Sequence, residues 1–362
     1  MKKKYIFLNV TICIASLALI LQSCNNENEV SSSDSASKIV ISTQYDYLNV
    51  PKEFQQIGQF HNEGMDSMYV GIKSALVTYR RTLKLNKVNK QASANQNASS
   101  VIGIDSVVHE TLLKYCNSNK LLRSNYAVCK RYIDQSFLKS GETKVNSALK
   151  INSDSTTLQK YIDRIHACIK NEVNNPISNL KQKLTIINQD ATKELNENDA
   201  LVVFAATSTT YASYQYWKKN FVKWVVMLRE EEFAKLCNNT PNKVLRYKIL
   251  ALENSDGSFE GGELGGVTVY GSQLAAILNQ LWSQSAAPLV GADADGAAVG
   301  FTTTVATAGA ASVYSGGTAA PIAAGAAGTS AIAGGLENST NEAIRQATGF
   351  DFNNYFYHLL HP

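Results

Sequence analysis

The chain has 362 residues, with 34 lysines and arginines against 30 aspartates and glutamates. Three of those lysines fall within the first four residues. Without them 31 basic residues face 30 acidic ones, a balance that excludes the general electrostatic pull of a nucleic-acid binder. At 44% hydrophobic residues the length supports a sizeable core in one or two domains.

Lys2, Lys3 and Lys4 precede an uncharged, mostly apolar run from Tyr5 to Leu21, which leads into Leu21-Gln22-Ser23-Cys24. A cationic start, a short apolar core and a small residue at the cut site mark a secretory leader. Cysteine directly after that small residue marks a lipoprotein leader, whose Cys24 thiol takes the lipid and becomes the mature N-terminus. The apolar run is at the lower edge of a bilayer span, so cleavage is expected over retention. Residues 1–23 read as the signal peptide and 24–50, rich in Ser and Asn, as a tether holding the chain to the envelope membrane by its lipid.

Helical spacing then sets in. Phe54, Ile57, His61, Met65, Met68, Ile72, Leu76, Tyr79 and Leu83 recur every three or four positions and predict a helix of some 30 residues after Pro51. Val108, Leu112 and Tyr115 predict a second helix; Leu122, Tyr126, Cys129, Ile133 and Phe137 a third. Asp154 is placed to cap a helix through Leu158, Ile162, Ile165 and Ile169, and Ile177, Leu180, Leu184 and Ile187 form a short one. Asp199 is expected to cap a long helix from Phe204 through Tyr211, Tyr214, Trp217, Phe221 and Val225 to Leu228. The region 51–253 therefore reads as an α-helical bundle.

Asn254-Ser255-Asp256-Gly257 opens a Gly-rich linker, 254–273, with a candidate strand at Val267 to Tyr270. Residues 274–362 read as an Ala/Gly-rich module with an aromatic tail, starting with a short helix from Leu274 to Trp282. From Gly296 to Leu336 there are 41 uncharged residues, 32 of them Gly, Ala, Ser or Thr. Gly296, Gly300, Gly316 and Gly328 belong to a four-residue register of small residues, a glycine-zipper pattern that lets helix backbones approach closely. Pro321 divides the run, so a helical hairpin is expected. The fold class is mainly α: a helical bundle followed by a small-residue module.

Chemistry is harder to find. Asp293-Ala294-Asp295-Gly296 starts like a calcium loop but has Ala298 and Thr304 where such a loop needs Gly and Glu. A capping or turn role is expected for it. His61 continues the apolar stripe of the first helix and reads as a hydrogen-bonded core histidine; His358 and His361 lack a nearby carboxylate. No nucleophile elbow, phosphate loop or dinucleotide fingerprint occurs. The expectation is no catalytic residue, no metal and no cofactor. Cys116, Cys129, Cys168 and Cys237, spaced 13, 39 and 69 apart, match no zinc pattern and are candidate disulfide cysteines in an exported chain. The basic stretch Lys73, Arg80, Arg81, Lys84, Lys87 and Lys90 is expected to meet the acidic run Asp190, Glu194, Glu197 and Asp199 within the fold, with anionic headgroups as the other option.

Three stretches resemble a group of Bacteroidota-type lipoproteins that have no assigned activity. Gly58 to Asp66 is similar to their G-x-x-H-N-x-G-L-D signature at Gly58, His61, Asn62, Gly64 and Asp66, with Met65 for Leu. Ala205 to Trp217 resembles their A-x-S-V-x-x-Y-S-x-x-Y-W helix, ending in Tyr216-Trp217, and Ala292 to Gly300 resembles the opening of their Gly/Ala-rich tail. The resemblance implies a cell-envelope lipoprotein at the outer membrane, with surface exposure suggested by Glu27 and Glu29. It implies no reaction. The expected function is a non-enzymatic surface binding or assembly module, with a protein partner or self-association through the C-terminal module. The alternative is a membrane-active or pore-forming protein that inserts the hairpin 296–336.

Overall fold

The computed structural model describes residues 48–89, 104–120, 122–138, 155–175, 177–229, 259–260, 263–264, 272–308 and 325–349. The expected leader, Cys24 and most of the tether lie outside them. So do Asp154, Cys237, the Asn254 turn, Val267 to Tyr270, Gly316, Pro321, the aromatic tail, His358 and His361.

Eight α-helices are described: α1 (Lys52–Asn89), α2 (Ile104–Ser118), α3 (Tyr126–Leu138), α4 (Ser155–Glu172), α5 (Leu180–Glu194), α6 (Glu197–Leu228), α7 (Ser272–Ala308) and α8 (Ala326–Gly349). A 3-10 turn, Leu122–Asn125, joins α2 to α3. Two-residue strands, Phe259–Glu260 and Glu263–Leu264, pair antiparallel. The mainly α reading holds.

The first helix forms as its periodicity dictates. Phe54, Ile57, Met65, Met68 and Ile72 are fully buried along one stripe, and the Pro51 carbonyl accepts from the Phe54 amide at 2.9 Å to start the turn. Helix α6 differs. Every residue from Ala200 to Thr210 is buried, so this half of the helix runs through the interior, whereas Gln215 and Lys219 in the second half are exposed. Its cap is Asn196, not Asp199. Asn196 accepts from the Asp199 amide at 3.0 Å, and the Asp199 carboxylate accepts from Asn196 Nδ2 at 2.7 Å. Reciprocal capping of this kind satisfies an orphan amide at the helix start. Helix α5 begins at Leu180, and Ile177 before it is 80% exposed. The short helix expected at 274–282 runs on to Ala308, through Pro288.

Helices α1, α6, α7 and α8 are the centre; α2 and α3 pack against α1 and α8, and α4 and α5 against α6 and α7. A single apolar core runs from Leu48 to Ala343 and includes residues from all eight helices. The small residues of α7 and α8 are thus part of the same core as the large ones of α1 and α6. A Cβ added at Gly296 would strike the Gly334 carbonyl, and one at Gly300 the Ser330 carbonyl. Gly296 faces 334 while Gly300 faces 330, so the two helices run antiparallel. Thr304 Oγ1 donates to Ser330 Oγ at 2.7 Å across the same seam. Gly328 is also buried.

The expected match between basic and acidic stretches falls largely on α1 side chains outside the described residues, and two of the acids have partners elsewhere. Asp190 pairs with Arg164 at 2.5 Å and Glu194 with Lys160 at 3.8 Å, both partners on α4. Lys73 lies over the Tyr69 ring instead, 5.9 Å from its centroid. The α1 side chains from Tyr79 onward are outside the described set.

Candidate functional site

One polar residue or more from each of the three motif stretches, joined by Ser339 of α8, meet at one buried point between the four central helices. His61 comes from α1, Ser213 and Trp217 from α6, Asp293 from α7 and Ser339 from α8; each is completely buried. His61 Nε2 lies 2.8 Å from Asp293 Oδ1, and Nδ1 lies 3.1 Å from Asn62 Oδ1. Asn62 is itself oriented, because its Nδ2 donates to the Ala212 carbonyl at 3.0 Å. Both ring nitrogens therefore face acceptors, the arrangement of a doubly protonated imidazolium. Burial pulls the His61 pKa down, but the Asp293 charge and the hydrogen bonds to Asp293 and Asn62 outweigh it, and the net direction is up.

The other carboxylate oxygen of Asp293 is equally occupied. It accepts from Ser213 Oγ, from Ser339 Oγ at 2.9 Å and from Trp217 Nε1 at 3.2 Å; the same indole N–H lies 3.0 Å from Ser339 Oγ. A buried carboxyl group is costly unless its oxygens find hydrogen-bond partners, and both oxygens of Asp293 do. This corrects the capping or turn role expected for it: Asp293 lies inside α7. Asp295, two residues on, points away from it and meets His166 Nε2 of α4 at 2.7 Å.

A histidine, an aspartate and a serine invite comparison with a hydrolytic triad, and the wiring is wrong for one. In a triad the serine donates to the histidine, which the carboxylate orients from its far side. Here Ser213 donates to the aspartate, and both histidine nitrogens are committed. All three side chains are sealed from solvent. Among the described residues, no group of three or more His, Cys, Asp or Glu side chains is arranged to hold a metal ion.

The remaining motif residues serve two further ends. Gly58 and Gly64 are contact points: a Cβ at Gly58 would meet Ala212 and the Ser208 carbonyl of α6, and one at Gly64 would meet Leu336 of α8. Asn62, Asp66 and Tyr216 line an open polar groove of about 510 Å³ between α1 and α6, together with Gln215, Lys219, Asn220 and Lys223. Tyr216 is anchored from below, its hydroxyl accepting from Trp224 Nε1 at 3.0 Å and donating toward Asp66. Burial first, and the Asp66 charge after it, hold the Tyr216 phenol well above its ordinary value. On the same α6 wall, across from Asp66 of α1, Lys223 lies 4.4 Å from the Tyr69 ring centroid.

Cys116, Cys129 and Cys168 are buried free thiols. No described helix is long and apolar enough to cross a membrane. The roles of Ser339, Lys219 and Lys223 carry no signal in the sequence; Ser213 falls on a serine of the Ala205 to Trp217 motif, and Asp293 is an acidic residue close before 41 uncharged ones. Comparison of the chain with family models, with curated proteins and with solved structures finds no match.

Proposed function

We propose that this protein is a non-enzymatic lipoprotein of the cell envelope, held at the outer membrane by acyl chains on Cys24. In this reading its helical domain is a binding or assembly module and the α1–α6 groove is the contact site. One observation carries the reading. Among the motif residues, His61, Ser213, Trp217 and Asp293 belong to a sealed set that joins the central helices, while Asn62, Asp66 and Tyr216 line a polar groove. The sealed set has no route for a substrate. The groove presents the Asp66 carboxylate on one wall and the Lys219 and Lys223 ammonium groups on the other. That pattern suits a polar protein surface carrying both signs of charge, where complementary potentials set specificity.

The alternative, insertion of the 296–336 hairpin as a pore, is disfavoured by the anion next to it. Insertion would take Asp293, three residues before the hairpin, away from His61, Ser213, Trp217 and Ser339, and stripping one partner from a buried pair costs about 3–5 kcal/mol. Several acyl chains on one cysteine anchor a protein without any span.

The test is to export the Cys24→Ala chain behind an ordinary cleavable leader and wash the membranes with alkali. Release of a folded helical protein is the expected result. Retention would overturn the lipid-only anchor and bring the pore reading forward.

A further inference from the structure

Two of the three described thiols are neighbours. Cys116 lies on α2 and Cys129 on α3, and the chain between them is the short 3-10 connection. Both side chains are 0% exposed, the helices that carry them pack against each other, and the Cys129 thiol is placed to hydrogen-bond with Cys116. Cys168 is placed differently, on α4 beside Lys183 and Glu172, where burial pushes its thiol up to about 11. Of the pairings open to the described cysteines, one is realised as a contact.

We propose that Cys116 and Cys129 are the substrate of an envelope thiol oxidant and close a disulfide that ties α2 to α3. The proposal rests on the envelope location above, because disulfides persist only in an oxidising compartment. The step needs a partner disulfide. One cysteine thiolate attacks it to form a mixed disulfide, the second displaces the partner's remaining sulfur, and the Cys116–Cys129 bond forms. Two protons and two electrons leave the pair, and the oxidant departs as a dithiol.

Burial sets the timing. In the folded domain neither sulfur reaches solvent, and the hydrogen bond to Cys116 together with burial holds the Cys129 thiol far above the range of a reactive thiolate. The bond therefore forms before α2 and α3 close over it, while the exported chain is still folding. Once formed, the same burial keeps reductants away. The link would hold together a hairpin that supports the centre: the Tyr115 hydroxyl donates to the Phe60 carbonyl of α1 at 2.7 Å, and the Tyr132 hydroxyl lies against Gly334 of α8.

The test is peptide mapping of the full chain recovered from the envelope, with free thiols blocked in denaturant before trypsin. Cleavage after Lys114, Lys120, Arg123 and Lys130 places the two cysteines on separate peptides, 115–120 and 124–130. The expected result is one species containing both peptides that separates on reduction, and that survives dithiothreitol unless the protein is unfolded. The same map is made after refolding the reduced chain in a glutathione redox mixture. Linkage there with free thiols in cells would leave the pairing intact and count against the envelope location. Free thiols in both samples, or a link from Cys116 to Cys168 or Cys237, would overturn the proposal.

Discussion

The α7–α8 hairpin and the α1–α6 pair are packed by opposite means. Between α1 and α6 the contacts are large rings: Phe54 edge-on to Phe204 at 5.6 Å and Tyr69 edge-on to Trp224 at 5.6 Å, with Trp217 and Trp224 tilted against each other 5.4 Å apart along α6. Burying such rings removes much apolar surface from water. Between α7 and α8 the contacts are glycine against backbone, and there is little side chain to bury. Small-residue packing gives proximity without much hydrophobic area, so something else must hold the hairpin in its slot. Asp293 can do so, because it is anchored on α7 and gripped by His61, Ser213, Trp217 and Ser339, one or more from each other central helix. The large-residue half holds by area and the small-residue half by a buried charge.

The strongest way to break this contrast is to remove the charge. Asp293→Ala leaves an imidazolium and three hydroxyl or indole donors buried without their acceptor, and loss of one partner from a buried pair costs about 3–5 kcal/mol. Chemical denaturation of the variant should show that loss, with Asp293→Asn intermediate because its amide still accepts. A loss under about 1 kcal/mol would mean the hairpin is held by packing alone.

Next in size is the seam itself. Gly296→Leu puts a side chain into the Gly334 backbone, where nothing flexible can yield, and overpacking of this kind costs about 3 kcal/mol or more. Gly349→Ala is the control, since a Cβ there meets nothing within 4 Å. It should be neutral or slightly stabilising, because alanine restricts the unfolded chain more than glycine does. Equal thermal melts for the two variants would remove the distinction between seam and surface.

Much of this is legible in the sequence, and what is not legible depends on distant partners or on burial from every side. The stripe of α1 forms a helix because its apolar positions repeat at the helical period, and His61 reads as a core residue from its place in that stripe. Gly296 and Gly300 announce a close seam. Asp293 cannot be understood locally. Its nearest bonded partner from another central helix, Ser339, is 46 residues away and His61 is 232 away, whereas calcium loops and helix caps both use neighbours in the chain. Asp199 misleads in a smaller way: acidic residues suit the first turn of a helix as well as its cap, and only the Asn196 geometry separates the two positions. The continuous burial of α6 from Ala200 to Thr210 defeats the amphipathic rule there, because that half of the helix has no polar face to set against its apolar one.

The pH response should show the smallest effect and the most specific one, because it reads the charge on His61 without altering any contact. The folded state raises the His61 pKa above 6.5, the ordinary value. A group raised by folding contributes stability that is fully present below its unfolded value and is lost as pH rises through its folded value. The domain should therefore become less stable on moving from about pH 6 toward alkaline conditions, opposite to the usual carboxylate-driven behaviour. His166 has the same sign, its bond to Asp295 raising it against partial burial, so a wild-type slope alone does not identify its source. His166 is 41% exposed at its side chain against 0% for His61, and water screens the more exposed pair. His166→Gln should accordingly leave most of the slope in denaturation midpoints measured across that range. His61→Gln should remove most of it and lower stability at the acidic end. If the His61 variant kept the wild-type slope, the buried imidazole would be neutral, and the hairpin would be held by hydrogen bonds to a lone carboxylate instead of by a paired charge.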